Sequence, residues 1–171
     1  GTGAVKLLRR EATACLLEDA GTVTLRAHRI HHGEAESNRI IVDVLRRLHG
    51  PGPHPPIGLT PLDRHFRSLL AGADDERDER LREPLRFSAD IARQLLASQR
   101  DIKPLHGDLH HDNIVGGAGR GWLAIDPQGL LGDPAYDVAN VFGNPLNAFT
   151  DIIDPQRIET LCALFFDAMG C

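Results

Sequence analysis

The sequence predicts an α+β fold that is mainly helical, with one β-hairpin near the N-terminus and another in the C-terminal half. Apolar residues recur at helical spacing in several segments between residues 34 and 169. Two short apolar runs near the N-terminus are separated by a polar turn, and two more enclose the glycine-rich residues 116–121. The length of 171 residues suits one domain, or at most two small ones.

Composition and charge narrow the class of protein. A formal charge of −5 gives no sign of the basic face that nucleic-acid-binding proteins carry. The apolar run 161–166 is far shorter than the roughly 20 residues that span a bilayer, and no secretory leader is visible. Three cysteines without a CxxC pair argue against a disulfide framework. We therefore expect a cytoplasmic protein with no nucleic-acid or membrane partner; the sequence leaves its oligomeric state open.

The N-terminal elements are predicted from short apolar runs. Residues 4–8 and 13–17 are expected to form the two strands of a hairpin whose turn is the polar segment 9–11. Residues 23–32 lack a clear periodicity and are expected to form a linker of weak extended character.

The helices follow from periodicity and from capping residues. One is predicted over residues 34–49, followed by a stiff proline-rich loop from Pro51 to Pro61. Thr60 as cap and Pro61 as first helical residue predict the next helix, ending near Gly72. The charged residues 74–83 are expected to be solvated. Two further helices are predicted to open at Pro84 and Pro155, with these buried stripes: Leu85, Ser88, Ile91, Ala92, Leu95 and Leu96 in the first, and Ile158, Leu161, Cys162, Phe165 and Met169 in the second.

The candidate catalytic and metal-binding residues lie between residues 105 and 126. Asp108 and Asn113 precede a strand that begins at Ile114, and Asp126 directly follows the returning strand. Because a hairpin brings its two ends together, these three side chains should converge. Like charges at such a place raise one another's pKa unless a cation lies between them, and an oxygen-only ligand set suits Mg²⁺ together with water and substrate phosphates.

The spacing His-x-Asp-Leu-x-x-x-Asn over residues 106–113 also matches the kinase catalytic loop. In that loop the aspartate accepts the proton of the attacking hydroxyl and the asparagine holds a metal ion. Asp126, in Ile-Asp-Pro rather than Asp-Phe-Gly, matches the metal-binding aspartate that follows. The two motifs in this order, joined by a predicted hairpin, are more specific than either alone.

Three motifs give the chain a resemblance to a known family: His-Gly-Asp-Leu-His-His-Asp-Asn at 106–113, Ile-Asp-Pro at 125–127 and Gly-Asp-Pro-Ala-Tyr-Asp-Val-Ala at 132–139. They resemble the signatures of aminoglycoside phosphotransferases. Residues 122–127 and 140–145 are similar to the streptomycin 6-kinase and hydroxyurea kinase branch in particular. Residues 44–49 and 61–66 are also similar, so the resemblance spans nearly the whole chain.

The resemblance implies a kinase-like C-terminal lobe over residues 22–171, with residues 1–21 as a remnant N-lobe hairpin and hinge. It also implies an ATP-dependent phosphotransferase that acts on a hydroxyl of a small molecule, an aminoglycoside such as streptomycin or a hydroxyurea-like compound. Asp108 would be the catalytic base, and Asn113 and Asp126 would hold Mg²⁺ on the ATP phosphates. Asp137 would hydrogen-bond the catalytic loop, which His106 is expected to brace.

The hinge against which adenine lies would be formed by Glu18, Asp19 and Ala20. A kinase's glycine-rich loop and paired lysine should precede the hinge, and the sequence shows neither in its first residues. Lys6 and Lys103 are the only lysines, and neither has the expected context. Because a lost cationic clamp can cost a factor of ~10³ or more, we expect this chain alone to bind nucleotide poorly and to turn over slowly or not at all.

Other interpretations of the same residues stay open. Asp108 and Asn113 are also common turn formers, and Asp126 could simply end a strand. His110, His111 and Asp112 could bind zinc or a metal pair, as in a metal-dependent hydrolase, although such a site needs further ligands. The glycines at 116–121 match no phosphate-binding loop and predict a hairpin turn. A non-catalytic kinase-like remnant that only binds a ligand or partner is the alternative to an enzyme.

Overall fold

The computed structural model describes residues 2–51, 57–117 and 119–170, apart from the side chain of residue 74. The helices are α1 Leu25–His32, α2 Glu34–His49, α3 Leu62–His65, α4 Arg67–Asp75, α5 Glu79–Ala97, α6 Ala139–Phe142, α7 Phe149–Ile152 and α8 Pro155–Met169, with a 3-10 helix at Pro134–Val138. The strands are β1 Leu7–Glu11, β2 Ala14–Leu17, β3 Val23–Thr24, β4 Thr60–Pro61, β5 Lys103–Leu105, β6 Ile114–Gly116, β7 Leu123–Ala124 and β8 Leu130–Gly132. In the described residues they form the small sheets β1-β2, β3-β6-β7 and β4-β8-β5. The predicted mainly helical α+β class is confirmed.

The N-terminal hairpin is confirmed, but its turn is not where the sequence predicted it. β1 continues through Arg10 and Glu11, which pair with Cys15 and Ala14. The chain reverses after β1 at Ala12, which has a φ of 42°. Every residue of both strands is exposed. Because neither face is buried, polar residues are tolerated within the strand and the apolar pattern does not fix the turn.

The prediction of an extended linker over residues 23–32 is wrong. β3 pairs antiparallel with β6, and α1 follows it directly. Thr24 begins this helix, because its hydroxyl accepts a hydrogen bond of 3.2 Å from the backbone N–H of Ala27. Only Leu25 of α1 is buried, which explains why apolar periodicity did not indicate a helix.

The central helix α2 has the bounds that the sequence predicted, and it carries the main apolar core. The buried members of this core come from several elements: Leu25, Ile40, Ile41, Val42, Val44, Leu45, Leu109, Ile114, Ala124, Val141, Leu161 and Phe165. The last helix, α8, begins as predicted, with the Asp154 carboxylate accepting the N–H of Gln156 at 3.0 Å. Ile158 and Cys162, expected on its buried face, are exposed.

Between these helices, the single helix predicted from Pro61 is two helices, α3 and α4, that together reach Asp75. Thr60 and Pro61 instead form β4, which pairs in parallel with β8. Part of the predicted proline-rich loop, residues 52–56, lies outside the described residues. The pairing of β4 with β8 joins this part of the chain to the sheet that contains β5.

Helix α5 begins before Pro84, which lies inside it rather than opening it. The carboxylate of Asp78 accepts the N–H of Arg80 at 3.0 Å and so provides the start signal. The buried stripe also differs from the prediction, since small residues face inward: Ala89 and Ala92 are buried, and Ile91 and Leu95 are exposed.

Two of the sheets hold the segment that carries the candidate chemistry. β5 leads into residues 106–113, and β6 and β7 form the predicted hairpin with Ile114 opposite Ala124. β8 then returns beside β5. The N-terminal segment joins the same hairpin, because the N–H of Val5 donates to the carbonyl of Ala124 at 3.0 Å. Within the described ranges, no helix has the length and apolar content needed to cross a membrane.

Candidate active site

The loop of residues 106–113 is held by one buried carboxylate. Asp137, only 1% exposed, lies in the 3-10 helix that follows β8. It accepts hydrogen bonds from the backbone N–H groups of His106 at 2.9 Å and Gly107 at 2.7 Å. Gly107 has a φ of 83°, and a Cβ there would lie 2.9 Å from Leu130, so this turn requires glycine. Asp137 therefore contacts the loop directly before Asp108.

Two histidines complete this support. Nδ1 of His106 accepts the N–H of Asp108 at 3.2 Å, and Nε2 lies 2.8 Å from the carbonyl oxygen of Ile125. These contacts place the proton on Nε2 of a neutral ring. Burial lowers the pKa of His106, which also favours the neutral form. His49, at the end of α2, has Nε2 3.0 Å from Oδ2 of Asp137. That is an ion-pair distance, although neither ring nitrogen of His49 has a described partner in hydrogen-bond geometry.

The carboxylate of Asp108 lies among polar side chains from three parts of the chain. Its Oδ1 accepts a hydrogen bond of 2.9 Å from the side-chain amide of Asn140. Asn113 donates from Nδ2 to the Asp108 carbonyl at 2.9 Å and lies 3.5 Å from Oδ2. Nε2 of His110 is 3.8 Å from Oδ1. Asp108 and Asn113, predicted to lie together, are in direct contact.

Asp126 directly follows Ile125, the residue that lies opposite Asn113 across the hairpin. The N–H of Ile125 donates to the carbonyl of Asn113 at 2.9 Å, and the N–H of Gln128 donates to the carbonyl of His106 at 2.7 Å. The backbone around Asp126 is thus tied to both ends of the loop. Asp126 itself is exposed and has a φ of 60°, a region that residues other than glycine seldom adopt. Such a strained conformation at a loop carboxylate is typical of functional sites.

The oxygen atoms at this end of the hairpin suit Mg²⁺. Because Nδ2 of Asn113 donates to Asp108, Oδ1 on the other side of the amide is available as a ligand. An amide oxygen and an exposed carboxylate are of the type that Mg²⁺ binds together with water and phosphate oxygens. In the described ranges, no three His, Cys, Asp or Glu side chains are grouped so as to hold a metal ion, which is the arrangement that the hydrolase alternative needs.

His110, His111 and Asp112, the residues of that alternative, have separate surroundings. Nδ1 of His110 accepts the N–H of Asp112 at 3.2 Å. The carboxylate of Asp112 forms an ion pair of 2.5 Å with Arg26 of α1. His111 is fully buried, and burial, reinforced by nearby arginines, lowers its pKa to about 4. At neutral pH His111 is therefore an uncharged core residue.

The predicted hinge begins at Glu18, whose side chain is held by Arg120 of the β6–β7 turn. Arg120 also donates to the carbonyls of Thr2 at 3.3 Å and Ala4 at 3.0 Å. Its hydrogen bond to Glu18 lowers the pKa of that carboxyl group. Arg120 thus joins three segments of the chain, and the side chain of Glu18 is engaged in that contact.

The rest of the predicted hinge is a turn over a buried apolar cluster. Oδ1 of Asp19 accepts the N–H of Gly21 at 2.8 Å. Ala20 is buried against Val115 and Leu123, with Val5 and Ile125 at the edge of the cluster. Glu18, Asp19 and Ala20 therefore lie at the β3-β6-β7 sheet, whose strands β6 and β7 lead to Asn113 and Asp126.

Three side chains that contact Glu18, Asp108 or Asp137 were not predicted from the sequence. Arg120 lies in a segment that the sequence predicted only as a hairpin turn. His49 was predicted only as the last residue of a helix. Asn140 follows Asp137 by three residues, a spacing that puts two helical side chains on one face. That spacing was an available signal, because Asp137 had already been connected with the loop.

Comparison with known proteins adds independent information. The family model for aminoglycoside/hydroxyurea antibiotic resistance kinases matches residues 1–171. A streptomycin 3''-kinase of Klebsiella pneumoniae is 42% identical over 158 residues, which cover 92% of this chain and 55% of that protein. A streptomycin 6-kinase of Streptomyces griseus is 33% identical over 145 residues, covering 81% of this chain and 45% of that protein. A hydroxyurea phosphotransferase of Kitasatospora aureofaciens is 33% identical over 113 residues, covering 64% and 32%. At most, the chain spans about half the length of these curated relatives.

Proposed function

The chain belongs to the aminoglycoside/hydroxyurea antibiotic resistance kinase family, and from this premise we propose that it carries the catalytic centre of an ATP-dependent phosphotransferase. The acceptor is a hydroxyl group of a small molecule, either an aminoglycoside such as streptomycin or a hydroxyurea-like compound. The observation that carries the proposal is the meeting of Asp108, Asn113 and the Asp126 segment at one end of the β6–β7 hairpin. The protein would act in the cytoplasm, where ATP is available, without a nucleic-acid or membrane partner.

In this proposal Asp108 is the catalytic base. Its carboxylate is half-buried, accepts hydrogen bonds and is oriented by neighbours on several sides. It accepts the proton of the acceptor hydroxyl while that oxygen bonds to the γ-phosphorus and the bond to the ADP oxygen breaks. His106 and Asp137 act through the loop backbone and keep Asp108 in place.

Asn113 and Asp126 would hold the metal–nucleotide complex. Mg²⁺, when bound, would neutralise charge on the phosphates. Asn113 presents an amide oxygen because its nitrogen is occupied by Asp108. Asp126 presents its carboxylate from a strained backbone position that the flanking hydrogen bonds maintain. Both contribute oxygen ligands, the type that this ion prefers.

Glu18, Asp19 and Ala20 form the hinge segment beside which the adenine end of the nucleotide would lie. Ala20, Val115 and Leu123 are buried, so the apolar side chains that adenine would contact there are the partly buried Val5 and Ile125, close to the β6–β7 hairpin. An apolar surface with a few fixed polar groups is the usual lining of a nucleotide-sized site. Glu18 acts indirectly, because its carboxylate is engaged by Arg120.

A second candidate, a kinase-like module that binds a ligand without phosphate transfer, is supported by one observation. The chain has two lysines. Lys6 is exposed, and Lys103 forms an ion pair of 2.5 Å with Asp101. Neither lysine is thus a clear candidate for the cationic clamp on the nucleotide phosphates, which is why we expect turnover well below ~1 s⁻¹ for this chain alone.

The experiment is long incubation of the purified protein with Mg·ATP and streptomycin or hydroxyurea, with the product detected by mass spectrometry. We expect slow formation of a phosphorylated product, and Asp108→Asn should slow it further by ~10²-fold or more. Mg²⁺-dependent nucleotide binding without any product would support the binding module instead. Neither product nor nucleotide binding would contradict both proposals.

A further inference from the structure

Asn140 lies in α6, directly after the 3-10 helix that carries Asp137. Its side-chain Nδ2 donates a hydrogen bond of 2.9 Å to Oδ1 of Asp108, which is 32 residues away in the sequence. This is the shortest side-chain contact described for the Asp108 carboxylate. Asp137 and Asn140 thus reach the same loop from one short helical segment, the first through the backbone and the second through the reacting side chain.

The two oxygen atoms of the Asp108 carboxylate are not equivalent. Oδ1 accepts the Asn140 hydrogen bond at 2.9 Å, whereas the nearest described donor to Oδ2, Nδ2 of Asn113, is 3.5 Å away. A distance of 3.5 Å is at the outer limit for a hydrogen bond. Oδ2 therefore keeps its capacity to accept a strong hydrogen bond from an acceptor hydroxyl.

The segment that carries Asn140 is itself held by a buried arginine. Nδ2 of Asn144 donates to the carbonyl of Asn140 at 2.7 Å, and Nη2 of Arg157 donates to the carbonyl of Asn144 at 2.7 Å. The Arg157 side chain is 5% exposed and forms an ion pair of 2.5 Å with Glu34 of α2. The amide of Asn140 is therefore presented from a rigid support.

We propose that Asn140 is a positioning residue for phosphate transfer: it holds Oδ1 of Asp108 so that Oδ2 faces the acceptor hydroxyl. The inference rests on the proposed function. In the reaction the hydroxyl proton passes to Oδ2, the hydroxyl oxygen bonds to the γ-phosphorus, and the bond from phosphorus to the ADP oxygen breaks. Asn140 keeps its own protons and donates the same hydrogen bond throughout. Small errors in the orientation of such a base are costly to the rate.

The test compares Asn140→Ala with Asn140→Asp. Aspartate keeps the size of asparagine but loses the donor and puts a like charge against Asp108, while alanine leaves room for a water molecule to donate. We expect kcat to fall by ~10-fold to 100-fold in Asn140→Ala and further in Asn140→Asp. Binding of Mg·ATP should change little in either variant, and the melting temperature should change little in Asn140→Ala. If Asn140 only filled space, Asn140→Asp would be the milder change.

Asn147→Gly is the matched control. Asn147 is exposed in the same C-terminal region and has a φ of 70°, which glycine adopts without strain. We expect wild-type kinetics for this variant. If the Asn140 variants lose nucleotide affinity and melting temperature together with kcat, the proposal is overturned, because such parallel losses would indicate a purely structural role.

Crystal structures of the wild-type protein and of Asn140→Asp provide a second test that needs no activity. We expect the Asp108 carboxylate to contact Asn140 in the wild type and to turn away in Asn140→Asp. If the wild type binds Mg·ATP without phosphate transfer, the binding module replaces the proposed function, and the orientation of the Asp108 carboxylate alone tests the role of Asn140. An unchanged Asp108 orientation in Asn140→Asp would overturn the positioning role whatever the kinetics.

Discussion

The carbonyl of Asn113 accepts a hydrogen bond of 2.9 Å from the N–H of Ile125, the residue directly before Asp126. This single ladder contact brings the two ends of the β6–β7 hairpin together. Asn113 is in turn bonded to Asp108 through its side-chain nitrogen. The contact therefore links the base, the amide ligand and the carboxylate ligand of the proposed phosphotransfer site.

Replacing Asp108 by asparagine removes the proposed base while keeping the size of the side chain. We expect kcat for phosphate transfer to fall by ~10²-fold to 10⁴-fold, with nucleotide affinity nearly unchanged because Asp108 is not a proposed metal ligand. Steady-state kinetics and calorimetric nucleotide titration check both parts. Asp167→Asn, on the exposed side of α8, serves as the control. Unchanged kcat in Asp108→Asn would rule out its role as base.

Asp126→Asn should act on nucleotide binding instead of on the base. The amide is a weaker ligand for a hard divalent cation than a carboxylate is. We expect the affinity for ATP to fall in the presence of Mg²⁺ and to stay the same in EDTA. An equal loss of affinity under both conditions would mean that Asp126 contributes through the fold and not through the metal ion.

Asp137→Asn should lower the free energy of unfolding. The Asp137 carboxylate accepts the N–H groups of His106 and Gly107 with its two oxygens, and an amide has only one oxygen to offer. One buried N–H then loses its acceptor, at a cost of about 1–3 kcal/mol. Urea denaturation measures this cost. Asp101→Asn, at an exposed surface ion pair, should leave the unfolding midpoint nearly unchanged; equal effects in the two variants would contradict the account.

Stability should fall as the pH is lowered from about 6.5 to about 4. Burial lowers the pKa of His111 to about 4 in the folded protein, so in this range the unfolded chain binds the proton more readily. His111 makes its full contribution to the free energy of unfolding above pH 6.5. About 3 kcal/mol of that contribution is lost as the pH falls to about 4.

His111→Leu isolates this effect, because leucine fills the site and cannot be protonated. Thermal unfolding of both proteins in EDTA should converge or cross as the pH falls, with a flatter pH profile for His111→Leu. Parallel profiles between pH 7 and 4 would mean that His111 titrates normally in the folded state.

Much of the fold could be predicted because local signals agreed with tertiary packing. α2 has a full apolar face and ends at Gly50, and α8 begins at a capping aspartate followed by Pro155, so both helices were found with correct starts. α1 was missed because it buries a single residue and depends on the side chain of Thr24 for its start. The buried face of α5 was predicted wrongly because the small residues Ala89 and Ala92 face inward, whereas Ile91 and Leu95 are exposed.

The candidate site could be predicted where its residues are close in sequence. Asp108 and Asn113 share one loop, and the β6–β7 hairpin brings Asp126 to them. His49, Asn140 and Arg120 reach the site from α2, α6 and a turn, and such long-range contacts leave little trace in a single sequence. The positive φ of Asp126 is likewise set by hydrogen bonds on both sides of it, and not by its own side chain.

The most direct test is a crystal structure of the protein with Mn²⁺ and a non-hydrolysable ATP analogue, in which anomalous scattering locates the metal ion. We expect one peak at about 2.1 Å from both Oδ1 of Asn113 and a carboxylate oxygen of Asp126, next to the γ-phosphate and Asp108. A metal ion bound to the nucleotide but in contact with neither side chain would contradict it.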